Sequence, residues 1–177
     1  PISVIVAVDT SDSKLELARL FGATHTVNAK TEENVVKTLR KLTGGGADYA
    51  FECVGYGEVV AQAYGALRKG GKAVVVGVAP AKDQTSIRTL SLTLEEKTLT
   101  GSYFGSARPR ADFPRLLSLY KGGRLKLDEL ITHRYTIDEA PQAFADQVAR
   151  TPAAVAVVGD GRALRYAELD AAADATA

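Results

Sequence analysis

Apolar residues in this chain gather into short β-branched runs, separated by stretches whose apolar positions repeat at helical spacing. Residues 2–8 (ISVIVAV) form the first run, the pattern of a strand buried on both faces. Asp9-Thr10-Ser11-Asp12 ends it and caps a helix on which Leu15, Leu17, Ala18 and Phe21 recur, with Gly22 as the stop. Residues 24–28 read as a short strand. Thr31 with Asn34 opens a second helix, whose apolar stripe is Val35, Val36, Leu39 and Leu42. Gly44-Gly45-Gly46 breaks that helix. Residues 49–54 are a further buried strand, a third helix covers 58–67 and ends in Lys69-Gly70-Gly71, and residues 73–78 are the next buried strand. Strand and helix alternating at intervals of about 20–25 residues is the pattern of βαβ units and a parallel sheet. Residues 85–98 are less regular. Leu90, Leu92 and Leu94, with Ile87 before them, alternate as in an edge or crossing strand. Residues 99–104 read as a strand and 113–120 as a helix. Residues 127–130 and 131–135 lead to a helix over 138–147.

Composition narrows the class. With 177 residues, 46% hydrophobic and 24% charged, the chain is a globular domain, or one with a short appendage, and not a disordered segment. The net charge of +1, with acids and bases interleaved, lacks the basic footprint of a nucleic-acid binder or a polybasic membrane anchor. A single cysteine, Cys53, excludes an intrachain disulfide. With only His25 and His133 beside it, a closed four-ligand Cys/His zinc site is excluded as well. The longest apolar runs, 73–79 and 153–158, are far short of a bilayer span, and no secretory leader pattern opens the chain. These features lead to the expectation of a soluble, cytoplasmic protein. An opening at Pro1 directly into a strand leads to a second expectation, that the chain has been cut from something longer.

Asp9 is the most informative position. An acid at the carboxyl end of a strand in a doubly wound sheet accepts hydrogen bonds from adenosine ribose hydroxyls and repels a 2′-phosphate, selecting NAD over NADP. The same residue type after a strand also serves as a plain N-cap, and the sequence leaves both readings open. No glycine-rich phosphate turn precedes Asp9. Gly44-Gly45-Gly46 follows a helix and precedes a strand, the reverse of a phosphate loop, and reads as a helix stop. Gly55 and Gly77 lie at the carboxyl ends of strands, where open α/β sheets bind ligands. There a bare glycine lets a flat ring approach the backbone, and an ordinary turn is the alternative. Cys53, inside an apolar strand, reads as a buried structural thiol, and His25 and His133 read as structural.

The blocks VIVAVDTSDSKLELARLFGATHTVN, GGGADYAFECVG, ALRKGGKAVVVGV, LTGSYFG and LDELITHRYTIDEAPQAF, in that order, resemble the zinc-type alcohol dehydrogenases of the medium-chain dehydrogenase family over residues 4–145. The resemblance implies a truncated Rossmann-like, doubly wound parallel α/β sheet without its first strand and glycine-rich turn. It implies that Asp9 and Lys14 contact ribose and that Val54 and Gly55 flank the cofactor. It further implies that Val76, Gly77, Val78, Ser102 and Phe104 contact the nicotinamide carboxamide side. Tyr56 stands where that family often has a basic residue. The resemblance implies NAD as cofactor and zinc for the full-length family. The ligands of the family's catalytic zinc do not appear in this sequence, so the chain alone is expected to be inactive. It also implies subunit pairing through the edge near residues 94–104, as a possible homodimer.

The remaining stretch, QVARTPAAVAVVGDGRALRYAELDAAADATA, resembles a different family, the N-terminal segment of adenylation domains in nonribosomal peptide synthetases. The expected division is therefore 1–146 for the cofactor-binding part and 147–177 for an appended helix-strand-helix segment, the whole reading as a fusion. A non-catalytic assembly module is the alternative function. Sheets of the first family run 3-2-1-4-5-6. Without the central strand, residues 2–8 and 49–54 would stand roughly 9.6 Å apart with unpaired backbone groups between them. Direct closure of that gap is the favoured expectation, over insertion of 153–158, at the expense of stability and with edges prone to association.

Overall fold

The computed structural model describes residues 3–131, 133–159 and 162–174. The chain divides by its contacts into two compact units, Pro1–Leu125 and Lys126–Ala177. That is a division by packing, and the sequence boundary at 146/147 rests on the resemblances alone.

The first unit runs β1 (Val6–Asp9), α1 (Asp12–Leu20), β2 (His25–Asn28), α2 (Val35–Leu42), β3 (Ala47–Glu52), α3 (Gly57–Gly65), β4 (Leu67–Val75), α4 (Thr89–Leu94), β5 (Thr98–Gly101) and α5 (Pro109–Lys121). Every strand pair in it is parallel. Val6 to Asp9 face His25 to Asn28, and β4 lies between β3 and β5. This is the α/β parallel architecture that the alternating pattern predicts. Local chemistry fixes the helices. Asn34 caps α2 by accepting the Lys37 N–H at 2.9 Å, and Val35 behind it is buried. On α3, Val60 and Tyr64 turn inward, and Tyr64 joins Leu67 and Ala73 in a small core against which Ala50, Ile87 and Leu99 pack. The Gly44-Gly45-Gly46 stop is required by its geometry. Gly46 has φ +143°, and a Cβ there would lie 2.4 Å from the Arg68 amide nitrogen.

Several elements differ from the sequence expectations. The first strand is Val6–Asp9 rather than 2–8, and Ile2 lies outside the described residues. It is not buried on both faces, since Val8 is 40% exposed. In β3, Tyr49 and Phe51 are likewise open to solvent. The third helix ends at Gly65, and Leu67 already belongs to β4. The ladder then skips from the Ala47–Leu67 pair to the Tyr49–Lys72 pair, so Lys69-Gly70-Gly71 is an irregularity inside a strand and not a helix stop. The Leu90/Leu92/Leu94 alternation belongs to helix α4. The six-residue helix buries none of its side chains, and its leucines stay exposed. The strand expected over 99–104 stops at Gly101, because Phe104 and Ser106 take positive φ and turn the chain away. No strand forms among the described residues of 131–135, and Thr132 lies outside them.

The favoured closure of the sheet does not occur. Strand β1 pairs with β2 alone, and β3 pairs with β4 alone, giving separate two-stranded and three-stranded sheets among the described residues.

The second unit holds α6 (Ala140–Arg150), β6 (Val155–Gly159), β7 (Arg162–Arg165) and α7 (Tyr166–Asp174). Thr136 and Glu139 form a reciprocal capping box ahead of α6. β6 and β7 form an antiparallel hairpin, and Phe144 meets Tyr166 with ring centroids 6.1 Å apart. The expected single strand of this segment is thus a two-stranded hairpin. Its first strand has β7 as its ladder partner and does not insert between β1 and β3.

Candidate cofactor site

Asp9 ends β1 and is exposed. Its Oδ1 accepts the Ser11 N–H at 2.9 Å, the side-chain turn typical of Asp after a strand. The N-cap position of α1 belongs to Ser11, so the capping reading of Asp9 does not hold. No hydrogen bond from the described residues reaches the other carboxylate oxygen of this exposed side chain, which leaves it open as an acceptor. Lys14, in the first turn of α1, is exposed on the same strand-helix junction.

The second group lies at the carboxyl ends of β3 and β4. There two chain segments cross with backbone against backbone. A Cβ on Gly77 would fall 2.2 Å from the Gly55 amide nitrogen, and one on Gly55 (φ +87°) would fall 2.6 Å from the Val78 carbonyl oxygen. The glycines that the sequence offers as an approach surface for a flat ring are needed by each other. Val54 and Val78 flank this crossing and stand 61% and 82% exposed, while Val76 is 38% exposed. Ser102 joins the group by donating its N–H to the Val75 carbonyl at 2.8 Å. Phe104 sits beyond it at φ +51°, 80% exposed, its ring edge-on to Tyr103 at 4.9 Å. Gly55, Val76, Gly77, Val78 and Ser102 are therefore brought together. Asp9 and Lys14 share no hydrogen bond with them.

Glu52 is the residue the sequence reading passed over. It is 2% exposed, and its Oε1 accepts the N–H groups of both Val54 and Gly55 at 2.7 Å. Its main-chain carbonyl accepts those of Val76 and Gly77 at 2.8 and 3.1 Å. The available signal was an acid inside an otherwise apolar strand end, AFECVG. Cys53 beside it is exposed and not a buried thiol. His25 is exposed with Nδ1 3.0 Å from Thr24 Oγ1, and His133 stacks on Tyr135 at 6.2 Å.

Two cavities lie away from this group. One of about 280 Å³ is lined by Arg40, Tyr64, Arg88 and Lys97 among others. The Lys97 ammonium there is buried 2.6 Å from Glu95 Oε2 and 5.2 Å over the Tyr64 ring. The hydrogen bond from Lys97 holds the Glu95 carboxyl below its ordinary value. The other, about 270 Å³, lies in the second unit between His133, Tyr135, Asp146 and Arg150. Burial and the bond to Asp146 raise the Tyr135 phenol. Among the described residues no three His, Cys, Asp or Glu side chains gather into a metal-binding group. The described residues do not fit a zinc ion, which needs at least three such ligands.

Parallel α/β sheets with an acid at the end of one strand and a tight glycine crossing at the ends of two others define a dinucleotide-binding class of domain. Within that class, the chain belongs to the zinc-binding dehydrogenase family, which it matches over residues 2–122. It is 36% identical over 148 residues to S-(hydroxymethyl)glutathione dehydrogenase of Paracoccus denitrificans, covering 80% of this chain and 39% of that protein. The crystal structure of benzyl alcohol dehydrogenase from Acinetobacter calcoaceticus superposes with a TM-score of 0.75 and 38% identity, covering 83% of this chain and 40% of that one. A zinc-binding dehydrogenase from Sinorhizobium meliloti, bound to NADP, superposes with a TM-score of 0.70 and 27% identity, covering 88% of this chain and 44% of that one. The chain thus spans about two fifths of the length of the relatives it matches.

Proposed function

We propose that this chain supplies the NAD-binding side of an alcohol dehydrogenase, which moves a hydride between an alcohol or aldehyde carbon and nicotinamide. The observation that carries the reading is the open carboxylate oxygen of Asp9 at the end of β1, where ribose hydroxyls can donate to it. The residues fit the ribose, since Asp9 offers an acceptor and the exposed Lys14 a donor on one junction. When bound, NAD supplies the hydride acceptor. Asp9 and Lys14 hold and orient its adenosine half, and the backbone of 54–55 and 76–78 meets its nicotinamide half. The chain by itself is non-catalytic in this reading, because its described side chains do not gather metal ligands. Zinc-dependent turnover by the purified chain at about 1 per second or faster would contradict that.

Titration of the chain with NAD and with NADP tests the cofactor choice. NAD is expected to bind with a dissociation constant on the order of millimolar and more tightly than NADP. Asp9→Ala is expected to narrow the difference. Tighter binding of NADP by the parent chain would refute the role of Asp9.

A non-catalytic assembly role is the second reading. β5 pairs with β4 on one side only, and Leu94, Tyr103 and Phe104 around it are exposed, which supports homodimer contact near residues 94–104. Light scattering after gel filtration reads the mass directly. A monomer at all concentrations removes this reading. The run from α6 through β6 and β7 into α7, which opens on Tyr166-Ala167-Glu168-Leu169, supports the resemblance of 147–177 to an adenylation-domain N-terminus and hence a fusion. The exposed free thiol of Cys53 supports a reducing, cytoplasmic setting.

A further inference from the structure

We infer that Glu52 is a positioning residue for the nicotinamide side of the site. One buried residue ties the segment 54–55, which would flank the cofactor, to the segment 76–77, which would meet the ring, and this rests on the cofactor reading above. β3 ends at Glu52, and the chain there has to turn sharply. Gly55 takes φ +87°, and its backbone passes against Gly77 and Val78. Four N–H groups of this crossing point at one residue. Val54 and Gly55 donate to Oε1 of the Glu52 side chain, at 2.7 Å each. Val76 and Gly77 donate to its main-chain oxygen.

The second carboxylate oxygen argues against a packing role. Oε2 is sealed from solvent with no hydrogen-bond partner, 2.8 Å from where a Cβ of Gly77 would stand. An apolar side chain would fill this place without leaving an acceptor unsatisfied. What it could not do is satisfy the Val54 and Gly55 amides, which would otherwise be orphaned in the turn. The acid therefore fixes the turn, the turn fixes how Gly55 seats on Gly77 and Val78, and that seating sets where the exposed backbone of 76–78 presents its polar groups. Asp9, on a separate sheet, shares none of these bonds.

Three variants test this on the full chain. Glu52→Ala removes the acceptor, Glu52→Asp draws the carboxylate back by one methylene, and Glu52→Gln keeps a carbonyl oxygen in place. Amide hydrogen exchange without ligand reads the clamp, and parallel titrations with NAD and AMP read the site. Glu52→Ala and Glu52→Asp are expected to lose protection at Val54 and Gly55 and to weaken NAD binding about tenfold while leaving AMP unchanged. Glu52→Gln is expected to restore both. If Glu52→Ala does not fold, Glu52→Asp against Glu52→Gln carries the same comparison. Two results overturn the inference: NAD affinity kept where protection is lost, or NAD and AMP affinity falling by the same factor. If the parent chain binds NAD no better than AMP, the nicotinamide contact itself is wrong and the positioning role falls with it. The ligand-free exchange data tell that failure apart from a missing clamp.

Discussion

Replacing Gly77 with alanine adds one methyl group at the place where the described backbone is tightest. The new Cβ would stand 2.2 Å from the Gly55 nitrogen, 2.7 Å from its Cα and 2.8 Å from Glu52 Oε2. Two of these are backbone atoms that no rotamer change can move, so the 76–78 and 54–55 segments have to separate. Separation strains the Val76 and Gly77 bonds to the Glu52 carbonyl. Overpacking of this kind costs about 1–3 kcal/mol, and the two bonds, strained rather than broken, together add about 1 kcal/mol. The expected loss is about 2–4 kcal/mol, against a core of only a few buried side chains such as Leu67, Ala73 and Tyr64. Gly101→Ala is the control, because the same methyl group there meets nothing within 4 Å. It should gain about 0.5 kcal/mol by stiffening the strand. The chain has no tryptophan, so far-ultraviolet circular dichroism follows the urea transition. With a urea slope of about 2 kcal/mol per molar, the Gly77→Ala midpoint should fall by about 1–2 M while that of Gly101→Ala holds or rises. A Gly77→Ala midpoint at or above the parent's, or an equal fall in Gly101→Ala, would refute the backbone crossing.

Three further outcomes follow from single contacts. Asn34→Ala removes the acceptor for the Lys37 N–H and should cost about 1 kcal/mol, read as a lower thermal midpoint; an unchanged midpoint would show that α2 does not depend on its cap. The Lys97 bond holds Glu95 below its ordinary pKa of 4.5 in the fold, so the unfolded chain takes up its proton first as pH falls. Stability from this pair is thus full above 4.5 and is lost as pH drops through the folded value. Glu95→Gln should flatten that part of a pH series of urea melts, and an unaltered slope would contradict the pairing. Cys53, being exposed, should react with one equivalent of a thiol reagent in native buffer as fast as in urea, and protection until unfolding would contradict its placement.

The parallel sheet was legible in the sequence wherever side-chain period and punctuation agreed. Asn34 before Val35, the glycine triplet after α2, and the β-branched run ending at Asp9 each named an element correctly in kind. Misreadings came where a local pattern depended on what lay beside it. Leucines at 90, 92 and 94 alternate like a strand, yet the segment forms a short helix that buries none of them, so alternation alone did not decide the element. Lys69-Gly70-Gly71 has helix-stop chemistry, yet strand pairing resumes on both sides of it. At the site, the strand-end positions could be placed from sequence, but not the reason for the glycines. That Gly55 and Gly77 are each other's neighbours is a fact of crossing segments 22 residues apart. The same holds for Glu52, whose partners lie on two different strand ends.

The failure of the sheet to close has an identifiable cause in α2. That helix follows β2 through the short connection 29–34, yet it is docked on the other sheet's layer. Val36 lies against Gly65 of α3, where a Cβ on the glycine would be 3.4 Å from its methyl group. Arg40 donates to the carbonyls of Gly65 and Leu67, the latter at 2.9 Å. β1, in turn, is laddered to β2 along its whole length. For β1 to pair with β3 at a strand spacing of about 4.8 Å, β2 would have to travel with it. The connection would then drag α2 off the end of α3 or have to lengthen. Closure would gain a ladder of about four hydrogen bonds worth roughly 1 kcal/mol each. Against that stand the Arg40 bonds, the Val36 contact and the seating of α3 on β3 and β4. Strand pairing is a local preference, whereas α2 is tied by the chain to β2 and by Arg40 and Val36 to the end of α3, and closure has to disturb one of those ties.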